Sequence, residues 1–60
     1  MSLTITCTST ATVTFTGHGT IHPTGGQHVD PGQAVTGTAT TTDGTYPSLT
    51  WTATGACHQA

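Results

Sequence analysis

The segment of residues 3–16 alternates strictly between two kinds of side chain, and this constrains the fold more than any other feature. Its odd positions are mostly apolar. Its even positions are all threonine: Thr4, Thr6, Thr8, Thr10, Thr12, Thr14 and Thr16. Successive side chains of a strand point to opposite faces, whereas a helix would scatter both sets around its circumference. Because β-branched threonine also suits a pleated surface, the pattern predicts one long, two-faced β-strand.

Turn signals divide the rest of the chain into further extended segments. Short pieces at residues 20–22 and 27–29 end at proline-containing turns, and residues 33–42 and 48–54 resume the alternation. No stretch has a helical apolar period. Short strands separated by glycine and proline turns predict an all-β fold, an antiparallel sandwich or a small barrel, formed by residues 1–60 as a single domain.

The inward positions of these strands predict a small core. Its expected members are Leu3, Ile5, Val13, Phe15, Val35, Leu49 and Trp51. The inward side chains of residues 33–42 are small, so we expect Trp51 to cover Gly37 and Ala39. Ordering a chain costs roughly 1.5 kcal/mol per residue, which so short a core is not expected to offset alone. We therefore expect a covalent staple, a partner or self-association.

Two cysteines near opposite ends of the chain are candidates for that staple. A Cys7–Cys57 disulfide would close a loop of about fifty residues and stabilise the fold by ~4 kcal/mol on a chain-entropy estimate. Two buried free thiols are the alternative. Met1 leads directly into the first alternating segment, which favours a cytosolic start over a mature secreted domain. A cytosolic start argues against a disulfide during synthesis but not against later oxidation outside the cell.

The charge content excludes several classes of partner. The chain has no lysine or arginine, and its two acidic residues are Asp30 and Asp43. Binding to nucleic acid or to an anionic membrane surface requires cationic side chains. No apolar run approaches the roughly 20 residues that span a bilayer. We therefore expect neither nucleic acid nor membrane as a partner.

Four motifs follow one another in residues 29–55: a Pro-Gly-Gln start, a V-T-x-x-A strand, an Asp-Gly turn and an L-x-W strand. They comprise Pro31, Gly32, Gln33, Val35, Thr36, Ala39, Asp43, Gly44, Leu49 and Trp51. This segment resembles bacterial and phage immunoglobulin-like domains of the PKD type, which implies an immunoglobulin-like sandwich. Such domains continue with more strands, and residues 3–16 resemble the threonine-alternating strand that normally comes last. The resemblance implies that this segment completes the sandwich, within its own subunit or by strand exchange with a neighbour.

The residues that could carry chemistry are few and do not favour an enzyme. The candidate metal ligands are Cys7, Cys57 and the four histidines, His18, His22, His28 and His58. His18 and His22 would lie about 13 Å apart in an extended chain, so exposed histidines without a metal or other cofactor are expected. A cysteine nucleophile would need an activating base or cation and a pocket of ≈ 300 Å³ or more.

The threonine positions 4–16 form the candidate contact face. Regular T-x-T arrays resemble those of ice-binding proteins, but the chain lacks a fixed-period repeat and long antiparallel strands should twist. Among the aromatic residues, Tyr46 is expected to be exposed and Trp51 to lie in the core, which disfavours a sugar-stacking platform.

Small size, near absence of charge and open sheet edges predict a non-enzymatic structural or interaction protein. Open edges attract partner strands, so a homo-oligomer is expected. Immunoglobulin-like modules recur on bacteriophage capsids and tails, so by fold-level analogy we expect a virion accessory protein that decorates a larger protein lattice and is made in the host cytoplasm. The alternatives are an ice-binding protein, a secreted surface or filament protein, or a glycan-binding module.

Overall fold

The computed structural model describes residues 1–60 and consists of two antiparallel β-sheets. The strands are β1 (Ser2–Cys7), β2 (Ala11–His18), β3 (Thr20–His22), β4 (Gln27–Val29), β5 (Ala34–Thr40), β6 (Ser48–Ala53) and β7 (Cys57–Gln59). One sheet has four strands in the order β3-β5-β1-β7, and the other has three in the order β4-β2-β6. The two sheets pack into a small sandwich without helices, so the predicted fold class is confirmed.

The chain changes sheet at every connection. Odd-numbered strands form the four-stranded sheet and even-numbered strands form the three-stranded one. No two consecutive strands therefore pair, and the fold contains no β-hairpin. Each ladder joins distant segments, as in the pairing of Ser2 with Thr38 and of Cys7 with Cys57.

The prediction of a single strand over residues 3–16 is wrong. Strand β1 ends at Cys7 and β2 begins at Ala11, and residues 8–10 carry the chain from one sheet to the other. A continuous strand over residues 3–16 would be about 46 Å long, whereas the longest dimension of the molecule is 37 Å. The alternation runs through the bend without a change of phase, so the odd positions face the core on both sides of it.

The two halves of this segment are the central strands of their sheets. Strand β1 lies between β5 and β7, and β2 lies between β4 and β6. All of these pairings are made within one chain.

The core lies between the sheets and is built mainly from the odd positions of β1 and β2. Its buried hydrophobic residues are Ile5, Cys7, Ala11, Val13, Phe15, Val29, Ala39 and Leu49. The other predicted core residues, Leu3, Val35 and Trp51, are half-buried and pack against this cluster.

The prediction that Trp51 covers Gly37 is wrong, because Phe15 occupies that place. A Cβ atom added to Gly37 would lie 2.5 Å from Cγ and 2.6 Å from Cε1 of Phe15. Phe15 belongs to the central strand β2 and reaches across to β5. Trp51 is its cross-strand neighbour in β6, at the edge of the sheet, and is therefore only half-buried.

Candidate functional site

The outer surface of the three-stranded sheet carries two adjacent columns of threonine. We call this surface the threonine face. One column is Thr12, Thr14 and Thr16 of β2; the other is Thr50 and Thr52 of β6 together with Thr54, which directly follows β6. Thr14 lies directly opposite Thr52, and Thr16 lies opposite Thr50. At the end of the columns, the Thr54 backbone N–H donates to the carbonyl oxygen of Thr12 over 3.2 Å.

The register of β2 with β6 brings the two columns together. Both strands carry threonine at even positions, and even positions of one strand lie opposite even positions of the other. Cross-strand threonine pairs stabilise a sheet through methyl packing and hydroxyl hydrogen bonds. The hydroxyl oxygens of Thr16 and Thr50 are 2.9 Å apart, and the Thr50 hydroxyl also lies 3.3 Å from the Thr16 carbonyl oxygen. At this pair the threonine side chains therefore reinforce the register that the backbone ladder sets.

The threonine face has no fixed charge. The nearest ionisable pair is at the corner, where His28 of β4 lies opposite Thr12 and its Nε2 contacts Asp30 Oδ1 at 2.8 Å. Both members of this pair are about two-thirds exposed, at 67% each. At the other end of the columns, the Ser48 hydroxyl accepts the His18 backbone N–H over 2.9 Å. The arrangement is thus a neutral surface of methyl groups and hydroxyls.

The prediction that the threonines at positions 4–16 share one contact face is wrong. The crossing at residues 8–10 turns the second half of the segment to the opposite side of the sandwich. The four-stranded sheet carries Thr4 and Thr6, the crossing carries Thr8 and Thr10, and the three-stranded sheet carries Thr12, Thr14 and Thr16. The second column of the threonine face was not among the predicted site residues, although the alternation of residues 50–54 is its sequence signal.

The outer surface of the four-stranded sheet also carries threonine, but less regularly. Thr4 and Thr36 lie opposite each other with their hydroxyl oxygens 2.9 Å apart. The next outward position of β1, Thr6, lies between Ala34 of β5 and His58 of β7. The threonine columns are therefore interrupted on this side.

Cys7 and Cys57 are joined by a disulfide across a sequence separation of 50 residues. They lie opposite each other in the β1–β7 ladder, and Cys7 is fully buried. The bond attaches the three-residue strand β7 to the central strand β1. No cysteine is free in this structure, so no thiol is available as a nucleophile or metal ligand.

The histidines are distributed over both sheets and do not converge. His18 ends β2, His22 ends β3, His28 lies in β4 and His58 lies in β7, and all four are exposed. The structure contains no group of three or more histidine, cysteine or acidic side chains that could hold a metal ion. Tyr46 is 94% exposed, which confirms the prediction for this residue.

A shallow polar depression of about 220 Å³ lies beside His18 at the end of β2. Beside the depression, the Thr45 hydroxyl donates a hydrogen bond to Asp43 Oδ1 over 2.6 Å. His18 Nε2 lies 2.9 Å from Thr45 Oγ1, and because the hydroxyl hydrogen is already donated to Asp43, Nε2 is the donor in this contact. The Thr45 hydroxyl and then the Thr45 backbone N–H lower the pKa of Asp43. The depression is smaller than the ≈ 300 Å³ typical of ligand pockets.

Comparisons with protein-family models, with curated proteins and with solved structures found no match to the chain. The structure has no helix of the length and hydrophobicity required to cross a membrane. The class that the fold defines is a disulfide-linked all-β sandwich, and the threonine face is its most regular surface.

Proposed function

We propose that the chain is a non-enzymatic structural module of the immunoglobulin-like type that self-associates and docks through its threonine face onto a larger protein lattice, the capsid or tail of a virion. The observation that supports docking is the pair of in-register threonine columns on an uncharged sheet surface. The proposed kinship with PKD-type domains rests on the sequence resemblance over residues 29–55.

A neutral hydroxyl and methyl surface favours binding to another protein surface of matching shape. It buries no fixed charge, so docking carries none of the large desolvation cost of an ionic interface. It also lacks the long-range attraction that charged partners use to accelerate association. Hydrogen bonds from threonine hydroxyls and burial of their methyl groups would supply the affinity. A face this small gives weak single contacts, which a lattice with many equivalent sites strengthens by multivalency.

The identity of the assembly is tested in the organism that encodes the chain. An epitope-tagged copy is expressed there, virus particles are purified by density gradient, and the tag is located on them by immunogold electron microscopy. We expect label at regularly repeated positions on capsid or tail. Absence of the tag from the particle fraction, with the protein folded and abundant elsewhere, would contradict the virion proposal.

Ice binding is the second candidate, because the same columns form a two-dimensional periodic array. Along one strand the threonines repeat every two residues, about 6.6–6.8 Å, and the two strands are about 4.7–4.9 Å apart. Such a grid can order water at regular positions. The test is microscopy of ice growth in the purified protein: faceted crystals and a thermal hysteresis gap would support ice binding, and unshaped discs would exclude it.

A further inference from the structure

We infer that the open edge of β6 binds a second copy of this chain in antiparallel orientation, so that two three-stranded sheets form one continuous six-stranded sheet. This inference rests on the self-association in the proposed function and adds its surface, register and symmetry. It does not depend on what the threonine face binds.

Strand β6 is the longest edge strand in the molecule. The edges of the four-stranded sheet are β3 and β7, and those of the three-stranded sheet are β4 and β6. The first three have 3 residues each, whereas β6 has 6. Short edges offer few backbone groups to an added strand, which is one way in which proteins suppress edge pairing. The β6 edge lacks this protection.

The backbone groups on the open side of β6 belong to its odd-numbered residues. Thr54 and Thr12 are hydrogen-bonded through the Thr54 N–H and the Thr12 carbonyl, and in an antiparallel ladder such bonded pairs recur at every second residue. The even positions of β6 therefore bond to β2. The N–H and C=O groups of Leu49, Trp51 and Ala53 point away from β2 toward the open edge.

Nothing in the composition of this edge opposes strand addition. Strand β6 reads SLTWTA and contains no charged residue and no proline. Edge strands are commonly protected by lysine, by proline or by inward-pointing charge. Pro47, immediately before β6, lies outside the stretch that would pair.

The same sequence sets the register of the two copies. When β6 of one copy pairs antiparallel with β6 of the other, the threonines of both copies lie on the same side of the joined sheet only if odd-numbered residues of one copy lie opposite odd-numbered residues of the other. A two-fold axis at Trp51 places Leu49 opposite Ala53 of the second copy and Trp51 opposite Trp51, so that the edge-facing backbone groups of all three residues find partners. An axis at Thr50 would place Pro47, which has no N–H, opposite Ala53. The axis at Trp51 is therefore the one that the edge fits, and it gives the isologous two-fold interface common among dimers.

This register joins the threonine faces of the two copies. Thr50 of one copy lies opposite Thr52 of the other, on the outer surface. The two columns of each copy then form a continuous surface of four columns. Dimer formation thus doubles the surface available to a lattice.

Disulfide trapping tests the register directly. Residues 50 and 52 of opposing copies form a non-hydrogen-bonded pair, with Cα atoms about 4.5 Å apart. The native Cys7–Cys57 pair, at 4.0 Å between Cα atoms, shows that this kind of position can be bridged. Variants T50C and T52C are mixed in a glutathione redox buffer and mapped by peptide mass spectrometry. We expect a 50–52 bridge in the mixture and little crosslinking in either variant alone, with T14C, one strand away from the edge, as the uncrosslinked control.

Charge repulsion supplies an independent measurement. T50K/T52K would place two like-charged pairs across the junction, whereas T12K/T14K adds the same charge to the same face away from it. By sedimentation equilibrium we expect the dimer dissociation constant to rise about tenfold or more for the first variant only.

The outcomes separate this inference from the wider proposal. A monomer at every concentration would overturn the inference and self-association together, and would leave docking by the threonine face to its own test. A dimer without the 50–52 bridge, or one weakened equally by both lysine variants, would overturn the β6 inference alone.

Discussion

Removal of the Cys7–Cys57 disulfide is expected to bring the fold close to its unfolding transition. The change is the double substitution Cys7→Ala and Cys57→Ala, which leaves no free thiol. The disulfide links the central strand β1 to β7 across 50 residues of sequence. Its loss therefore releases nearly the whole chain in the unfolded state.

The magnitude follows from the length of the closed loop. The chain-entropy relation for a loop of this length gives about 4 kcal/mol of stabilisation at 25 °C. Natural domains have a free energy of unfolding of about 0.05–0.15 kcal/mol per residue, which is roughly 3–9 kcal/mol for this chain. The variant should therefore retain a few kcal/mol at most. Truncation of the fully buried Cys7 side chain adds to the loss.

Urea unfolding monitored by Trp51 fluorescence measures the effect, since this is the only tryptophan and it is half-buried. We expect a free energy of unfolding lower by about 4 kcal/mol. The dependence on urea should become steeper, because an unfolded chain without the crosslink exposes more surface. Ser9→Ala serves as the control, since it removes only the 2.8 Å hydrogen bond from the Ala56 N–H. That bond tethers the segment before β7 non-covalently and should contribute about 1 kcal/mol.

Two results would refute this reasoning. A loss below about 1 kcal/mol, no larger than that of Ser9→Ala, would mean that closure of the loop contributes little. An unchanged urea dependence together with a large loss would place the effect in the folded state, in the packing around Cys7, rather than in the unfolded chain.

Three further predictions concern the core, the depression and the topology. Gly37→Ala should destabilise the fold by about 1–3 kcal/mol because its methyl group overlaps the Phe15 ring; combining it with Phe15→Leu should recover part of the loss in the same urea assay, and simple additivity would contradict the contact. Thr45→Val should raise the pKa of Asp43 toward its ordinary value of 3.8 in an NMR titration. A carboxyl group whose pKa is lower in the folded state stabilises the fold at pH values above its unfolded-state pKa, so the stability difference between wild type and variant should disappear only as the pH falls below about 4. An unchanged Asp43 titration would contradict the role of Thr45. Stopped-flow refolding should take milliseconds to seconds, because no consecutive strands pair; microsecond folding would contradict the alternating topology.

The inward and outward assignment of side chains was predictable because it is local. The two-residue period places Ile5, Val13 and Phe15 in the core, as the structure does. The division of residues 3–16 was not predictable from the same pattern, since the alternation keeps its phase through residues 8–10. The length of each strand is limited by the size of the core that it can cover, and the size of the core depends on the whole chain.

Strand order explains the other differences. Sequence alternation indicates that Phe15 and Trp51 both face inward but not which lies on a central strand, so the residue covering Gly37 could not be chosen correctly. The second column of the threonine face was missed for the same reason. Residues 50–54 show the alternation, but only the register with β2 shows that their threonines lie beside the column that contains Thr14. Both depend on pairings between segments more than 30 residues apart in sequence, such as Thr14 with Thr52.

The claim that the threonine face is the docking surface is tested most directly by comparing T14K with T4K on purified virus particles. Both positions are half-buried even positions of central strands, one on each outer surface of the sandwich. Trp51 fluorescence first verifies that each variant is folded like wild type. Each variant is then titrated against particles that lack the native protein, and the bound copies are counted by mass spectrometry. We expect T14K to weaken binding about tenfold, as expected when an unpaired charge is buried in an interface, and T4K to bind like wild type. Equal weakening by both variants, or wild-type binding by T14K, would contradict the assignment of the threonine face as the docking surface.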